Sequence, residues 1–258
     1  MHDLTIWQYA LIALLFVWSG LVRSGLGFGG AALTLPFLLL IVNDPLVFLP
    51  LIAVQLLFFS GLIIWKGHRT ARAATHQDPA IGNIDWAWLK RSLKIMIVPK
   101  LIGVLGLLTL PPKIMSTVIF LIVICYALGY LLNRPIRSNN RKLDNILLIV
   151  GGYASGVSLI GAPLIAAVAA ARVSQHQLRD TLFVLWPLLV LIKLVSFIIA
   201  GVDLQLIHHL WLLPCAWIGH ICGERLHQRI VAVETPVFFR ALGTVLIVVS
   251  LVGILWKP

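Results

Sequence analysis

Runs of about twenty apolar residues recur along this chain with almost no charge inside them, and each is long enough to cross a bilayer as a helix. A helix is one of the few backbone forms that hydrocarbon tolerates, because it satisfies its own N–H and C=O groups. The 258 residues are 60% hydrophobic and only 11% charged. A soluble domain has roughly a quarter of its residues charged, so the composition excludes one. The chain reads as an all-α polytopic membrane protein of about eight full spans plus two short broken or re-entrant helices. No Lys or Arg precedes the first apolar run, MHDLTIWQYA, so no signal peptide is expected.

Full spans are expected over 4–21, 46–65, 93–110, 114–132, 182–200, 206–222 and 236–256, and a helix over 145–154 leads into the second half. Two apolar segments, 31–42 and 162–171, are too short to cross comfortably. Asn43, Asp44 and Pro45 stop the first of them. The long polar loop 66–94 contains Lys66, Arg69, Arg72, Lys90, Arg91 and Lys94, with an interfacial helix expected around 84–88. Cys125, Cys215 and Cys222 sit in apolar runs and read as small packing residues.

A glycine-rich stretch precedes each short segment: GLVRSGLGFGGAALTLP at 20–36 and GGYASGVSLIGAPL at 151–164. An offset of 131 lays Gly20 on Gly151, Ser24 on Ser155, Gly25 on Gly156 and Gly30 on Gly161. The last helices also match, since Pro112 and Pro236, like Gly129 and Gly253, are 124 apart. The chain therefore divides into a first repeat at 1–132, with loop 66–94 cytoplasmic, a linker at 133–144 and a second repeat at 145–258. Broken hydrophobic segments at matching places in two halves point to a transporter's binding site. The competing explanation is that small residues let helices pack closely.

Loop charges orient the repeats. With the N-terminus outside and every segment crossing, fourteen Lys and Arg lie inside and only Lys113 and Lys257 outside. Five segments per repeat is an odd number, so inverted repeats are expected. Were the short segments re-entrant without crossing, the halves would run parallel and leave Lys113, Arg172, Arg179, Arg225 and Arg229 outside, which the charge rule disfavours. The formal net charge of +11 belongs to this cytoplasmic bias, and the loops are too short for a nucleic-acid-binding domain.

Inside the membrane the charge is one-sided. Lys100 and Lys193 fall near the middles of spans and Arg23 at the first glycine stretch, whereas all nine acids fall in loops or at segment ends. A cation taken out of water needs an anion, a water or the loss of its proton. The start of each short helix adds free N–H groups and about half a positive charge. The expected binding site for a small anionic substrate joins Arg23, Ser24, Gly25, Gly27, Gly29 and Gly30 to Lys100, Ser155, Gly156, Ser158, Gly161 and Lys193. His220 and Arg240, nearer segment ends, read as interfacial or structural. No catalytic residue, metal site or cofactor is expected, since the chain has no phosphate loop and no HExxH. The expected partners are the anion and the lipid bilayer, with no nucleic acid; a homo-oligomer is left open.

SGLGFGGAALTLPFLL resembles the N-terminal glycine motif of the sulfite exporter TauE/SafE family, also called 4-toluene sulfonate uptake permeases. SGVSLIGAPL resembles that family's second motif, and Pro99, Gly103 and Gly106, like Pro214, Gly219 and Gly223, fit its pattern. The resemblance covers nearly the whole chain. The second motif departs at two positions, where Ser158 matches Gly27 and Ile160 matches Gly29. The resemblance implies a multi-pass secondary transporter of the bacterial inner membrane, moving sulfur-containing anions such as sulfite or organosulfonates. An anion channel shares the same electrostatics. An intramembrane enzyme would need a nucleophile–base or metal constellation that the spans do not show. No carboxylate is expected at membrane depth to relay protons.

Overall fold

The computed structural model describes residues 4–26, 30–73, 84–132, 138, 140–231 and 236–255. Gly27 and Gly29, the middle of loop 66–94, half of linker 133–144, and Trp256 and Lys257 lie outside the described residues. Among the described residues every element is a helix: α1 (Ile6–Leu26), α2 (Gly30–Ile41), α3 (Pro45–Ala73), α4 (Trp86–Thr109), α5 (Pro112–Leu131), α6 (Arg141–Ser158), α7 (Ala162–Arg172), α8 (Gln175–Ile199), α9 (Leu206–Val231) and α10 (Pro236–Leu255). Six of them, α1, α3, α4, α5, α8 and α9, contain stretches long and apolar enough to cross a membrane. Outward faces are strongly apolar, as at Trp7, Leu14, Ile102, Ile199, Leu210 and Leu255. Lipid requires such a surface and water does not.

The helices differ from the sequence expectation where a turn or cap was inferred from composition. The interfacial helix near 84–88 is the first turn of α4, capped by Asp85 Oδ1, which accepts from the Trp88 N–H at 2.9 Å. Helix α3 runs on to Ala73, through the first basic residues of the expected loop. Helix α6 starts at Arg141 and passes through the second glycine stretch to Ser158. It stops at Leu159, whose φ of 61° is left-handed. That conformation costs a non-glycine residue about 1–2 kcal/mol. Of the eight full spans expected, two are not among these six: α6, whose first turn holds Arg141, Lys142 and Asp144, and α10, which counts as a shorter apolar helix over Arg240–Leu255. The cysteines also differ, since Cys125 and Cys222 are exposed on the apolar surface.

The main interfaces exchange in pairs. Helix α1 packs along α9, and α6 packs along α4; α5 pairs with α10, and α3 with α8. Exchanging α1–α5 with α6–α10 leaves this set unchanged. Glycines set both crossings. A Cβ on Gly20 would run into the Ala216 carbonyl, and one on Gly219 into the Val17 carbonyl. In the matching crossing, a Cβ on Gly156 would meet the Lys100 carbonyl, and one on Gly103 would lie 2.6 Å from the Tyr153 carbonyl. These contacts lay Gly20 on Gly156, five residues away from the register of the constant offset.

Helix α7 folds back along α6. Gly161 sits beside Ser155, Gly151 touches Leu164 and Ile165, and Arg172 Nε donates to Asp144 Oδ2 at 2.8 Å. Asp144 is buried and also accepts from Ser138 Oγ. One acid is thus buried after all, but Arg172 neutralises it at the foot of this hairpin.

Candidate functional site

A cavity of about 680 Å³ lies between the two hairpins. The first residues of both short helices line it: Gly30 to Leu33 of α2, and Ala162 and Pro163 of α7, with Gly161 just ahead of α7. The remaining walls come from the C-terminal parts of α1, α5 and α9, from Ser155 near the end of α6 with Leu159 and Ile160 after it, and from the middle parts of α3, α8 and α10. They are mostly apolar and aromatic, including Phe59, Tyr126, Tyr130 and Trp186.

Arg23 is the principal charge on this wall. Its Cζ stands 4.1 Å from the centroid of the Phe59 ring, a cation–π distance. Its Nε and Nη2 are buried and make no hydrogen bond among the described residues. A guanidinium carries five N–H donors, so this one keeps donors to offer. Ser24 lines the cavity next to it and is hydrogen-bonded to His220 Nδ1 on α9. His220 Nε2 lies 3.3 Å from Glu224 Oε1, and both residues line the cavity.

On the opposite wall, Ser155 lines the cavity and holds Lys100, which lies behind it. Lys100 Nζ donates to Ser155 Oγ at 2.9 Å and to the Ser155 carbonyl at 3.4 Å. Lys193 is fully buried on α8, with Nζ 5.5 Å from the Phe197 ring centroid. Its Nζ makes no hydrogen bond among the described residues. The two lysines are near enough to interact electrostatically.

The structure therefore brings Arg23, Ser24, Gly30, Ser155 and Gly161 to one cavity and sets Lys100 and Lys193 behind its wall. Gly156 lies in the α4–α6 crossing. Ser158 is buried, and its hydroxyl donates within its own helix to the Ala154 carbonyl at 2.9 Å. Gly25 lies in the last turn of α1, and Gly27 and Gly29 lie outside the described residues. Sequence reasoning missed His220 and Glu224 as a pair on the cavity wall. Their i, i+4 spacing was a local signal, but only the packing of α9 on α1 aims them at the cavity. Among the described residues no cluster of His, Cys, Asp or Glu is suited to a metal ion.

No curated protein and no solved structure matches this chain. A family model does. It spans residues 11–253, from the middle of α1 to the end of α10, and so takes in both hairpins and every wall of the cavity. On that match the chain belongs to the sulfite exporter TauE/SafE family, a family of multi-pass membrane transporters.

Proposed function

We propose that this protein is a secondary transporter that moves small anions, sulfur-containing oxyanions or organosulfonates, across the bacterial inner membrane. The observation that carries the proposal is Arg23, whose buried Nε and Nη2 have no partner among the described residues, on the wall of a cavity lined by two helix starts. An unpaired buried donor set costs free energy until an acceptor arrives, and an anion both accepts and neutralises. The helix starts contribute the same sign of potential.

The α6–α7 hairpin supports the inverted 5+5 arrangement. Its ends meet at Asp144 and Arg172, so α7 returns to the side where α6 began. Each repeat then makes an odd number of passes, and its partner runs in the opposite sense. With loops 66–94 and 133–144 cytoplasmic, the cavity walls from α5 and α9 come from the cytoplasmic halves of those helices. In this arrangement those walls lie toward the cytoplasm, and access to the cavity from that side is the expectation that follows.

Purified protein in liposomes, screened with sulfite, thiosulfate, 4-toluenesulfonate, sulfate and acetate, tests the proposal. The expected result is saturable uptake and counter-flow of one or more sulfur anions. Flux that neither saturates nor shows counter-flow would make the protein a channel. No flux or binding of any of these anions would reject the anion site.

A further inference from the structure

We infer that Ser24, His220 and Glu224 form a proton-binding site beside the anion site, so that each anion moves together with a proton. This rests on the anion reading of Arg23 and adds the coupling ion to it.

The site is built from two helices held in close contact. Gly20 and Gly219 bring α1 and α9 together at backbone distance, which places Ser24 of α1 against the buried ring of His220. Glu224, one turn further along α9, stands 3.3 Å from the other ring nitrogen and is half-exposed. The imidazole thus has a hydroxyl on Nδ1 and a carboxylate near Nε2. A hydroxyl can donate to neutral imidazole or accept from imidazolium, so it serves both protonation states. A carboxylate favours the imidazolium. Histidine is the side chain whose ordinary titration range spans physiological pH. The half-exposed carboxylate gives the ring a route to solvent, and the rest of the imidazole is closed off by α1 and α3.

The anion site and this site share one aromatic ring. Arg23 Cζ lies 4.1 Å from the Phe59 centroid, and the His220 ring centroid lies 5.1 Å from it. Guanidinium and imidazole are therefore close enough for their charges to interact through a dry wall. An empty cavity leaves the Arg23 cation opposing a second cation at His220. An anion at Arg23 reverses that field. Anion and proton then bind more tightly together than apart, and the coupling is reciprocal by linkage.

The other groups facing this cavity do not compete for the proton. Among the described residues, α1 brings Arg23, α5 brings the phenols Tyr126 and Tyr130, and α9 brings Glu224 itself. Among the described residues of α3, α8 and α10 no charged side chain lines the wall. In the cycle, a proton enters with the anion, occupies His220 without any bond to the anion forming or breaking, and leaves to solvent on the other side. No other reactant is needed.

Two probes that carry no titratable proton near neutral pH, thiosulfate and 4-toluenesulfonate, separate this inference from the reading beneath it. The full chain is reconstituted in liposomes with a trapped pH dye, the membrane potential is clamped, and protons moved per anion are read as a ratio. That ratio does not depend on rate. The wild type should move about one proton per anion, and an acid-outside gradient should drive accumulation. His220→Gln should take the ratio to near zero. Glu224→Gln, at a half-exposed position, should lower the ratio. Anion uptake by the wild type without proton movement would overturn the coupling and leave the anion site standing. An unchanged ratio in Glu224→Gln, together with an unchanged or unmeasurable one in His220→Gln, would also overturn it. A wild type that neither binds nor moves either probe would overturn the anion site and this inference together.

Discussion

Arg23 shows how burial turns a common surface residue into a candidate ligand. Its guanidinium covers Phe59, and two of its nitrogens are hidden from solvent without an acceptor. Arg23→Gln removes the charge and should weaken anion binding by about one to two factors of ten, as loss of a charged hydrogen bond worth ~1.5–3 kcal/mol implies. Arg23→Lys should recover part of it, because charge returns without the planar fork. Binding unchanged in Arg23→Gln, measured by calorimetry, would reject the assignment. The lysines act one layer back. Lys100 orients the Ser155 hydroxyl, and Lys193 is fully buried on α8 behind the wall. Lys100→Met should weaken binding of a dianion by about tenfold, and Lys193→Met by less, since neither amine reaches the cavity. Affinity within twofold of wild type for both variants would remove the lysines from the site.

Among the elements, the α4–α6 and α1–α9 crossings make the strictest demand on sequence. Small residues let two backbones approach closely where no hydrophobic force drives helices together in lipid. Gly156 is such a point, because a methyl group there meets the Lys100 carbonyl and Gly103. Gly61 on α3 is the control, with nothing within 4 Å of the same added methyl. Gly156→Ala should lower thermal stability in detergent by several degrees and disturb the Lys100–Ser155 bond. Gly61→Ala should leave stability equal or slightly higher, since alanine favours a helix by up to ~1 kcal/mol. Equal melting of the two variants would mean that the crossing has room to spread.

At the scale of the whole molecule, topology decides which side the cavity serves. Loops with fourteen Lys and Arg should be cytoplasmic and both termini periplasmic. With Cys125, Cys215 and Cys222 replaced, a cysteine at Ser60 on the cavity wall should react with a membrane-impermeant maleimide only from the cytoplasmic side. A C-terminal reporter should be periplasmic. Labelling of Ser60→Cys from the periplasm alone, or a cytoplasmic C-terminus, would reject this orientation.

The membrane class, most of the helices and the two glycine stretches were legible in the sequence, because apolar runs and helix breakers act locally and need no partner to be recognised. The family resemblance was legible for the same reason, in SGLGFGGAALTLPFLL and SGVSLIGAPL. Register between the halves was not. A constant offset lays Ser24 on Ser155, whereas the crossings lay Gly20 on Gly156, and Ser19 beside Gly30 as Ser155 is beside Gly161. The longer α1 absorbs the difference, and only contact between two helices reveals it. The surroundings of the charges were equally hidden. Asp144 looked like a loop acid until α7 folded back to bring Arg172 to it, and Glu224 like a segment-end acid until α9 packed on α1. Periodicity and composition determine which residues enter the membrane. Which of them face one another is settled by where two backbones can touch, and that is a property of pairs of helices distant in sequence.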